Sequence, residues 1–514
     1  MRSDEDDRDQ TAAGASGEKI VLIGGGIAGL ACGCYLQMNG YRTEIVEANA
    51  VPGGLCTSWD RGPYVFDGCL RWLLGTHPSS AFHQVWKELG AIAGRKIFDQ
   101  DEVVRVEGAE GRAISVPSDL DQLAREFKRI APEDTRLIEQ LVRAARRCAP
   151  LEPPLENPLE LMTLLEKTRV GLRYLPMLPV ILIWKGLPVG TYLARFRNGF
   201  LREVLLALAG DERMSALVLV MVLAFRSRQN TGFVAGGSRA FAEAIADRYT
   251  RLGGIVRYHT RVASVRVENN RATGVKCADG TVVPAATVVS CADGHTTIFK
   301  MLDGRFVNQK LLRLYEKGEL FPGLIQVSLG INKTFPDAPH TLSLPLLAPL
   351  IGDDKTRHSR MEVSVFGSDS GLCPEGKTVL TVRLSSRYEY WADLKHRHPE
   401  AYAPAKAAQL DEIVAILDRR FRGVAQQLEH ADVATPATFA RYTGNWQGSF
   451  QGWLPTPRIL GRRIPCTLPG LEDFYMAGHW VAAGGGLPSA ALSGRYVAQM
   501  ICAHNRRVFA ATEP

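Results

Sequence analysis

Residues 19–29 have the sequence KIVLIGGGIAG, in which a short β-branched segment stands directly before a glycine-rich turn. The first five residues predict a buried strand, and the residues from 27 to about 39 predict a helix that Gly40 closes. A second β-branched segment, 42–46, ends at Glu47. Strand, glycine turn, helix and strand within about 30 residues predict a β-α-β unit with parallel strands.

The glycines of this turn have the spacing Gly24-x-Gly26-x-x-Gly29. Gly24 permits the tight turn, Gly26 lets a pyrophosphate approach the backbone, and Gly29 lets the helix and the strand pack closely. The N–H groups at the start of the helix offer hydrogen bonds and partial positive charge to phosphates. Glu47 is placed to accept hydrogen bonds from ribose hydroxyls. Glycines also serve ordinary turns, but this spacing in this context predicts a dinucleotide site.

The glycine motif alone does not distinguish NAD from FAD, and the residues that follow favour FAD. After Glu47 comes the doublet Gly53-Gly54, which resembles the second signature of the large FAD family that includes phytoene desaturases, amine oxidases and Rab GDP-dissociation inhibitors. The family pattern has arginines on both sides of the doublet, where this chain has Val51 and Leu55. The resemblance implies non-covalently bound FAD without those two arginine contacts.

The C-terminal segment carries a third part of the resemblance. Residues 475–478 predict a strand that ends in a glycine turn, and residues 484–488 lead into a helix predicted over 490–503. In the family the N-terminal amides of this helix face the flavin; the alternative is a helix that only packs against the domain. Segments 233–238 and 252–293 resemble bacterial phytoene desaturases, which implies that the Val262 backbone contacts the adenine.

The resemblance implies a cofactor site formed by backbone and small side chains. Its predicted residues are Gly24, Gly26, Ile27, Ala28, Gly29, Glu47, Ala48, Gly53, Gly54, Leu55, Val262, Gly478, Gly486, Leu487 and Pro488. No metal site is predicted, because the ten cysteines are spread along the chain without a C-x-x-C pair. Patterns typical of zinc proteases, serine hydrolases and phosphate-loop enzymes do not occur in the sequence.

The phytoene desaturase group acts on long, apolar, conjugated chains and includes desaturases, isomerases and retinol saturases. The resemblance implies an FAD-dependent oxidoreductase that desaturates or saturates C–C bonds of an apolar polyene or isoprenoid-like substrate by hydride transfer at flavin N5. The alternatives are a redox-neutral double-bond isomerase that uses reduced FAD, an amine oxidase, and a non-catalytic binding protein on the same fold. Because a second dinucleotide motif is absent, the expected electron partner is a transient NAD(P)H, a quinone or dioxygen.

Asp67, Arg71 and His479 are the predicted catalytic residues, because a desaturase needs a proton acceptor or a group that stabilises a cation-like state. Asp67 and Arg71 lie four positions apart, and we expect either a functional ion pair or a structural pair or cap. His479 follows a predicted glycine turn, where a hydrogen-bonding role is the alternative. The further candidates, each with core packing or simple hydrogen bonding as the alternative, are His77, Trp446, Trp453 and Trp480.

The charge of the chain is unevenly distributed. Lys and Arg total 61 against 54 Asp and Glu, and this small excess does not predict a nucleic-acid partner. Segment 167–202, however, contains basic residues and no acidic residue. Its apolar run, 174–184, is too short to cross a bilayer, which needs about 20 residues. The segment predicts peripheral contact with an anionic membrane or, alternatively, a helical lid over an apolar pocket.

The order of the elements predicts an α/β fold with two domains. A Rossmann-like FAD-binding domain is expected from the discontinuous segments 19–100, 228–300 and 465–505, and an inserted α+β substrate-binding domain from 101–227 and 301–464. Helices are predicted over 119–148 and 196–225. Residues 1–18 are acidic and then small and polar, so they predict a disordered tail rather than a secretory signal, and the chain is expected in the cytoplasm.

Overall fold

The computed structural model describes residues 18–462 and 464–512, so nearly all of the predicted tail lies outside the described residues. The strands are β1 (Lys19–Ile23), β2 (Arg42–Val46), β3 (Ser58–Arg61), β4 (Tyr64–Asp67), β5 (Ile97–Phe98), β6 (Glu102–Glu107), β7 (Ala113–Pro117), β8 (Phe233–Val234), β9 (Ile255–Arg257), β10 (Val262–Glu268), β11 (Arg271–Cys277), β12 (Val282–Pro284), β13 (Thr287–Ser290), β14 (Gly323–Ile331), β15 (Thr341–Ile351), β16 (Arg357–Phe366), β17 (Thr378–Ser386), β18 (Leu428–Ala434) and β19 (Phe474–Met476).

The helices alternate with these strands. They are α1 (Ile27–Met38), α2 (Ala81–Glu88), α3 (Leu120–Ile130), α4 (Thr135–Cys148), α5 (Leu164–Tyr174), α6 (Leu178–Trp184), α7 (Val189–Leu193), α8 (Gly199–Ala209), α9 (Ala216–Arg226), α10 (Gly237–Arg251), α11 (Gly294–Thr296), α12 (Gln309–Lys317), α13 (Tyr388–Arg397), α14 (Pro399–Arg420), α15 (Pro436–Thr443) and α16 (Gly486–His504).

A five-stranded parallel sheet forms the dinucleotide-binding part, with the strand order β19-β13-β1-β2-β9. Strand β1 lies at its centre, so the glycine turn after β1 lies at the carboxyl edge, where open α/β sheets bind ligands. Helices α1 and α16 cover one face and pack against each other. The five strands come from well-separated parts of the chain, and the predicted α/β fold is confirmed. The exact domain boundaries remain a prediction.

A second, seven-stranded sheet is mostly antiparallel and has the strand order β18-β14-β17-β16-β15-β6-β7. We call it the large sheet. One of its faces is apolar: Val327, Val363 and Val382 are buried beneath α13 and α14, in one cluster with Trp391 and Leu417. The sheet therefore takes its stability from this face, because apolar side chains there are removed from water.

The opposite face of the large sheet is polar. Gln326 on β14 pairs in register with Arg383 on β17, which pairs with Glu362 on β16, which pairs with Ser343 on β15. Directly paired residues lie on the same face of a sheet. Gln326 and Ser343 are nonetheless buried. This face is thus covered by other parts of the protein while carrying side chains that form hydrogen bonds.

A helical lobe, built from α3, α4 and α6–α9, stands opposite the polar face. Its core contains Leu123, Leu141, Leu201 and Val220, which are fully buried. No helix within the described ranges is both long and apolar enough to span a membrane.

The helices predicted over 119–148 and 196–225 are each divided in two. Helix α3 ends at Ile130, and Pro132 starts the short turn before α4, because proline cannot continue the hydrogen-bond ladder of a helix. Helix α8 ends at Ala209, its C-cap Gly210 has a φ of +91° that is unfavourable for other residues, and Ser215 then caps α9.

Two predicted helix ends also differ slightly from the structure. Helix α1 ends at Met38 with Asn39 as its C-cap, and Gly40 follows in the left-handed conformation. Helix α16 begins at Gly486 rather than at residue 490. A glycine-rich stretch has low helix propensity, which is why the sequence pattern places this start too late.

Gly494 is the position where α16 closes onto α1. A Cβ at this position would lie 2.6 Å from the Ala28 carbonyl oxygen and 2.8 Å from the Cys32 nitrogen. We expect Gly494→Ala to lower the free energy of unfolding by about 1–3 kcal/mol through overpacking. Thermal unfolding would measure this loss. Gly171→Ala in α5, where a Cβ meets nothing within 4 Å, is the control and should be neutral or stabilising; equal effects of the two variants would contradict the prediction.

Candidate functional site

A cavity of about 1280 Å³ runs from the carboxyl edge of the parallel sheet to the space between the helical lobe and the polar face of the large sheet. At one end its wall consists of the glycine turn and the strand ends. At the other end helices α8 and α9 supply apolar side chains such as Leu206 and Met221. A groove for a dinucleotide and a largely apolar chamber therefore belong to one continuous space.

The first glycine turn has the geometry that its spacing predicts. Gly24 has a φ of +97°, and a Cβ on Gly29 would lie 2.0 Å from the Gly24 carbonyl oxygen, so the helix approaches the strand as closely as its backbone allows. A Cβ on Gly26 would meet nothing closer than 3.8 Å, so the space in front of Gly26 is open. Helix α1 has no side-chain cap, which leaves its first N–H groups for a ligand.

Glu47 lies at the end of β2, is 5% exposed, and forms part of the cavity wall. Its Oε2 accepts a hydrogen bond of 2.7 Å from the Gly25 N–H, and its Oε1 accepts one of 2.8 Å from the Asn49 N–H. These bonds hold the carboxylate beside the glycine turn. A carboxylate oxygen can accept more than one hydrogen bond, so ribose hydroxyls can still bind here.

The second glycine doublet packs directly on the first turn. The Gly53 N–H donates to the Gly25 carbonyl at 2.8 Å, and Gly26 and Gly53 form a backbone bridge. A side chain on Gly53 would lie 2.2 Å from the Cys56 carbonyl oxygen, so only glycine fits. Leu55 lines the cavity where the family pattern has an arginine.

The closing segment completes the wall. Gly478, with a φ of +112°, is held by a 2.7 Å hydrogen bond from its N–H to Ser493 Oγ. Helix α16 starts at Gly486 without a side-chain cap, and its first residues line the cavity. Two uncapped helix N-termini, those of α1 and α16, thus border the same space, and both favour negative or electron-rich groups.

Nearly all the predicted cofactor residues come together in this wall. The residues that line the cavity are Gly24, Gly26, Ile27, Ala28, Glu47, Ala48, Gly53, Gly54, Leu55, Val262, Gly478, Gly486, Leu487 and Pro488. Gly29 lies behind the wall, at the contact between α1 and the Gly24 carbonyl. Their contact with a cofactor remains a prediction, but they occupy one surface.

His479 lines the cavity beside the closing segment. Burial lowers the pKa of its imidazole to about 4, so the side chain is neutral at pH 7. Its Nε2 is buried and has no hydrogen-bond partner among the described residues. A neutral imidazole with an unpartnered nitrogen, in a residue of the cavity wall, fits a hydrogen-bonding or proton-accepting role.

Asp67 is 1% exposed and lies beneath the cavity wall rather than in it. Its two carboxylate oxygens accept hydrogen bonds from the Ser58 and Ser238 hydroxyls and from the N–H groups of Cys69, Leu70 and Ser238. Such a set of donors fixes the turn that follows β4. This placement favours the structural alternative, and the catalytic role of Asp67 remains a prediction without a contact to the cavity.

The expected pairing of Asp67 with Arg71 is wrong. Arg71 lines the cavity and forms its ion pair with Glu362 on the large sheet. Asp67 caps the turn after β4. This turn changes the direction of the chain, so Arg71 extends towards the large sheet instead of back towards Asp67. His77 bonds to Ser79 through its Nδ1 at 2.9 Å and is not part of the described wall.

The predicted tryptophans divide between wall and core. Trp480 lines the cavity. Trp453 is fully buried behind it and donates from Nε1 to the Trp480 carbonyl at 3.0 Å, while Trp446 stacks on His295 at 4.5 Å. Trp446 and Trp453 therefore pack in an aromatic cluster and support the wall, which is the core alternative.

Arg226 and Arg383 are among the wall residues that sequence reasoning missed. Arg226 ends the otherwise apolar helix α9, and Arg383 lies in the mostly buried strand β17. A single charge in an apolar element is the signal that could have revealed them, because a buried charge requires a partner or a function.

A parallel sheet with this glycine turn, an acidic residue at the next strand end and a C-terminal helix pointing at the same cavity define a flavin-binding oxidoreductase fold. The model of the flavin containing amine oxidoreductases matches residues 27–502, and the chain belongs to this family. The predicted class, an FAD-dependent oxidoreductase, is thereby confirmed.

Similar proteins agree with this assignment. A chloroplastic prolycopene isomerase of Daucus carota is 25% identical over 520 residues, which cover 94% of this chain and 79% of that protein. A neurosporene-forming phytoene desaturase of Rhodobacter capsulatus is 25% identical over 528 residues, which cover 94% of each. The crystal structure of an oxidoreductase from Methanosarcina mazei has a TM-score of 0.61 at 16% identity, covering 94% of this chain and all of that one, and shows the same fold. The resemblance to the phytoene desaturase group is confirmed.

The residues present fit a flavin dinucleotide. The open space at Gly26 suits a pyrophosphate, and the two uncapped helix N-termini offer N–H donors. Glu47 directly follows β2 in the cavity wall, where the motif places its ribose-binding acid. The backbone would supply most of these contacts, so the fit does not require arginines in place of Val51 and Leu55.

The lowered pKa of His479 has a consequence for stability. Between pH 6.5, its ordinary pKa, and about pH 4, the unfolded chain binds a proton that the folded protein does not bind. The free energy of unfolding should therefore fall as the pH is lowered through this window, by at most about 3 kcal/mol from this residue. His479→Gln should show a flatter curve when urea unfolding is measured from pH 7 to pH 4.

The exposed His396→Gln in α13 is the matched control and should follow the wild-type curve. Curves of equal slope for wild type and His479→Gln would show that the imidazole is not held neutral by burial.

Proposed function

We propose that the protein oxidises or reduces C–C bonds of an apolar polyene or isoprenoid-like substrate. The observation that carries the proposal is the continuity of the cavity: the flavin groove opens directly into a chamber walled by Leu206, Met221 and similar side chains of α8 and α9. An elongated apolar molecule in this chamber would have one of its bonds beside the flavin. The similarity to phytoene desaturase and prolycopene isomerase supports the same substrate class.

Bound flavin supplies hydride exchange at N5. The protein positions the chain and excludes water, since the chamber wall is mainly apolar. Neutral His479 is proposed to accept a proton or a hydrogen bond. The positive charge of Arg71 is proposed to act on the charge that develops in the reacting part of the substrate. These two roles follow the catalytic residues predicted from the sequence.

A redox-neutral double-bond isomerase using reduced flavin is the second candidate, and the similarity to prolycopene isomerase favours it. An amine oxidase fits less well, because Arg71, Arg226 and Arg383 line the chamber and repel a protonated amine. The proposed electron partner of a desaturase or saturase is a quinone or a transient NAD(P)H.

Gly26→Val tests the cofactor site on which the proposal depends. A Cβ at this position would meet nothing closer than 3.8 Å, and the valine side chain would occupy the open space in front of Gly26, so the fold should persist while the flavin is lost. Wild-type protein should show visible flavin absorbance that dithionite bleaches. It should also convert phytoene with a quinone as acceptor, measured as a product with a longer conjugated system.

The outcomes separate the candidates. Conversion of prolycopene to another isomer without net acceptor reduction would assign isomerase activity instead. Wild-type protein that binds no flavin after incubation with FAD would overturn both candidates and favour the non-catalytic binding protein.

We also propose that segment 159–183, called here the leucine patch, contacts a membrane surface. Its exposed apolar side chains are Leu159, Leu164, Leu165, Leu172, Leu175, Leu178, Leu182 and Ile183. Helix α5 buries none of its residues, and the exposed Lys167, Arg169 and Arg173 lie among the leucines. Met177 and Ile181 of the same segment line the cavity, so the patch lies at an entrance that a lipid-dissolved substrate can use.

Leu165→Gln combined with Leu182→Gln tests this contact. Sedimentation with phosphatidylcholine vesicles containing phosphatidylglycerol should show a fall in vesicle binding of roughly tenfold or more, because two apolar anchors are lost. Leu347→Gln is the control, since Leu347 is 95% exposed but lies on β15 of the large sheet. Equal vesicle binding by the double variant and the control would refute membrane contact through the patch.

A further inference from the structure

Three arginines from distant elements line the chamber end of the cavity. Arg71 follows the turn after β4, Arg226 ends α9, and Arg383 lies on β17. We call them the arginine cluster. Each carries a charge at neutral pH, although burial lowers the pKa of Arg71 to about 9 and that of Arg226 to about 10. The repulsion of Arg383 and Arg226 also lowers the pKa of Arg71, which shows that the three charges act on one another.

Only one of the three has an ion-pair partner among the described residues. Arg71 pairs with Glu362. Arg383 donates to two neutral oxygens, Gln326 Oε1 at 3.0 Å and the Asp67 carbonyl oxygen at 3.4 Å. The charge of the Asp67 carboxylate acts on Arg383, but its oxygens are already bound by serine hydroxyls and backbone N–H groups.

Arg226 is the least satisfied member of the cluster. It is 6% exposed, and its Nη1 donates to the neutral Gln100 Oε1 at 3.2 Å. Its guanidinium lies 4.9 Å from the centre of the Trp72 ring, and its Nε has no hydrogen-bond partner within the described part of the chain. A buried guanidinium without an ionic partner is costly unless a ligand supplies a negative charge.

The residues around the arginine cluster indicate the chemical character of the rest of such a ligand. The same helix that ends in Arg226 lines the cavity with Leu217, Met221 and Phe225. The opposite wall is the polar face of the large sheet, where Ser343 also lines the cavity. Apolar side chains of α9 therefore adjoin the arginine cluster in the chamber, which suits an amphiphile with one acidic end.

We propose that the arginine cluster binds the carboxylate of an otherwise apolar substrate. The inference rests on the proposed function and narrows its substrate class from a hydrocarbon to a polyene or isoprenoid acid. A carboxylate is favoured over a simple polar group because guanidinium groups pair with it through two parallel hydrogen bonds. Glu362 already shows that a carboxylate fits beside Arg71 of this cluster. The acid anchors one end of the chain, which sets the bond that lies beside the flavin.

The test compares all-trans-retinoic acid with its methyl ester, two probes that share one apolar body. Binding is measured by quenching of tryptophan fluorescence in the flavin-loaded protein. The acid should bind at least tenfold more tightly than the ester. Arg226→Gln should abolish this difference and leave the affinity for the ester unchanged. Equal affinities of wild-type protein for acid and ester would overturn the inference.

Two further variants keep the test decisive if Arg226→Gln folds poorly. Glu362→Gln removes the carboxylate that competes for the cluster, so it should tighten binding of the acid and not of the ester, an effect that loss of folding cannot imitate. Arg360→Gln is the matched control: Arg360 lines the same cavity but is paired with Glu203 at 2.7 Å, and its loss should leave the preference for the acid intact. A preference that disappears equally in Arg360→Gln would refute a specific role for the cluster.

The anion could belong to the substrate or be a separate small carboxylate, and butyrate distinguishes these sources. Competition of butyrate with retinoic acid in wild-type protein, lost in Arg226→Gln, supports the site, even if no polyene is converted and the proposed function fails. Simultaneous binding of butyrate and the ester, with retinoic acid bound no more tightly than its ester, would show that the cluster does not hold a carboxylate of the substrate. A shifted flavin spectrum in Arg226→Gln with unchanged affinity for both acids would assign the charge to the flavin and overturn the inference.

Discussion

The buried carboxylate of Asp67 is the point at which the parts of the structure meet. Its oxygens hold the turn after β4 and the start of α10, through Ser238, while its backbone carbonyl accepts hydrogen bonds from Gln326 and Arg383 of the large sheet. Replacement of Asp67 by a residue without a carboxylate would destabilise the fold, because the hydroxyl and N–H donors around it would lose their acceptor. The relative position of the flavin groove and the chamber depends on it.

The sequence predicts the dinucleotide groove well because the information is local. Gly24, Gly26 and Gly29 lie within one turn, and the constraint on each is steric, so spacing alone identifies their roles. Glu47 follows directly from the end of β2. The closing segment is equally local, and only the start of α16 was misplaced, since glycines conceal a helix N-terminus.

The chamber could not be predicted in the same way, because its contacts join residues that are far apart in sequence. Arg71 lies four positions from Asp67, but its partner Glu362 comes from a strand of the large sheet. The polar face of that sheet is a property of register: Gln326, Arg383 and Glu362 align only when β14, β17 and β16 pair as they do. The alternation of polar and apolar residues along each strand shows that the sheet has two different faces. It does not show which of the two faces a cavity.

The leucine patch also affects the behaviour of the protein away from lipid. Helix α5 has no residue in the core, so its leucines add no stability to the fold in water. Such a surface lowers its free energy when it meets another apolar surface, such as a bilayer or another copy of itself. The leucine patch therefore lowers the colloidal stability of the protein. In buffer without lipid or detergent, the same side chains cause self-association that grows with protein concentration.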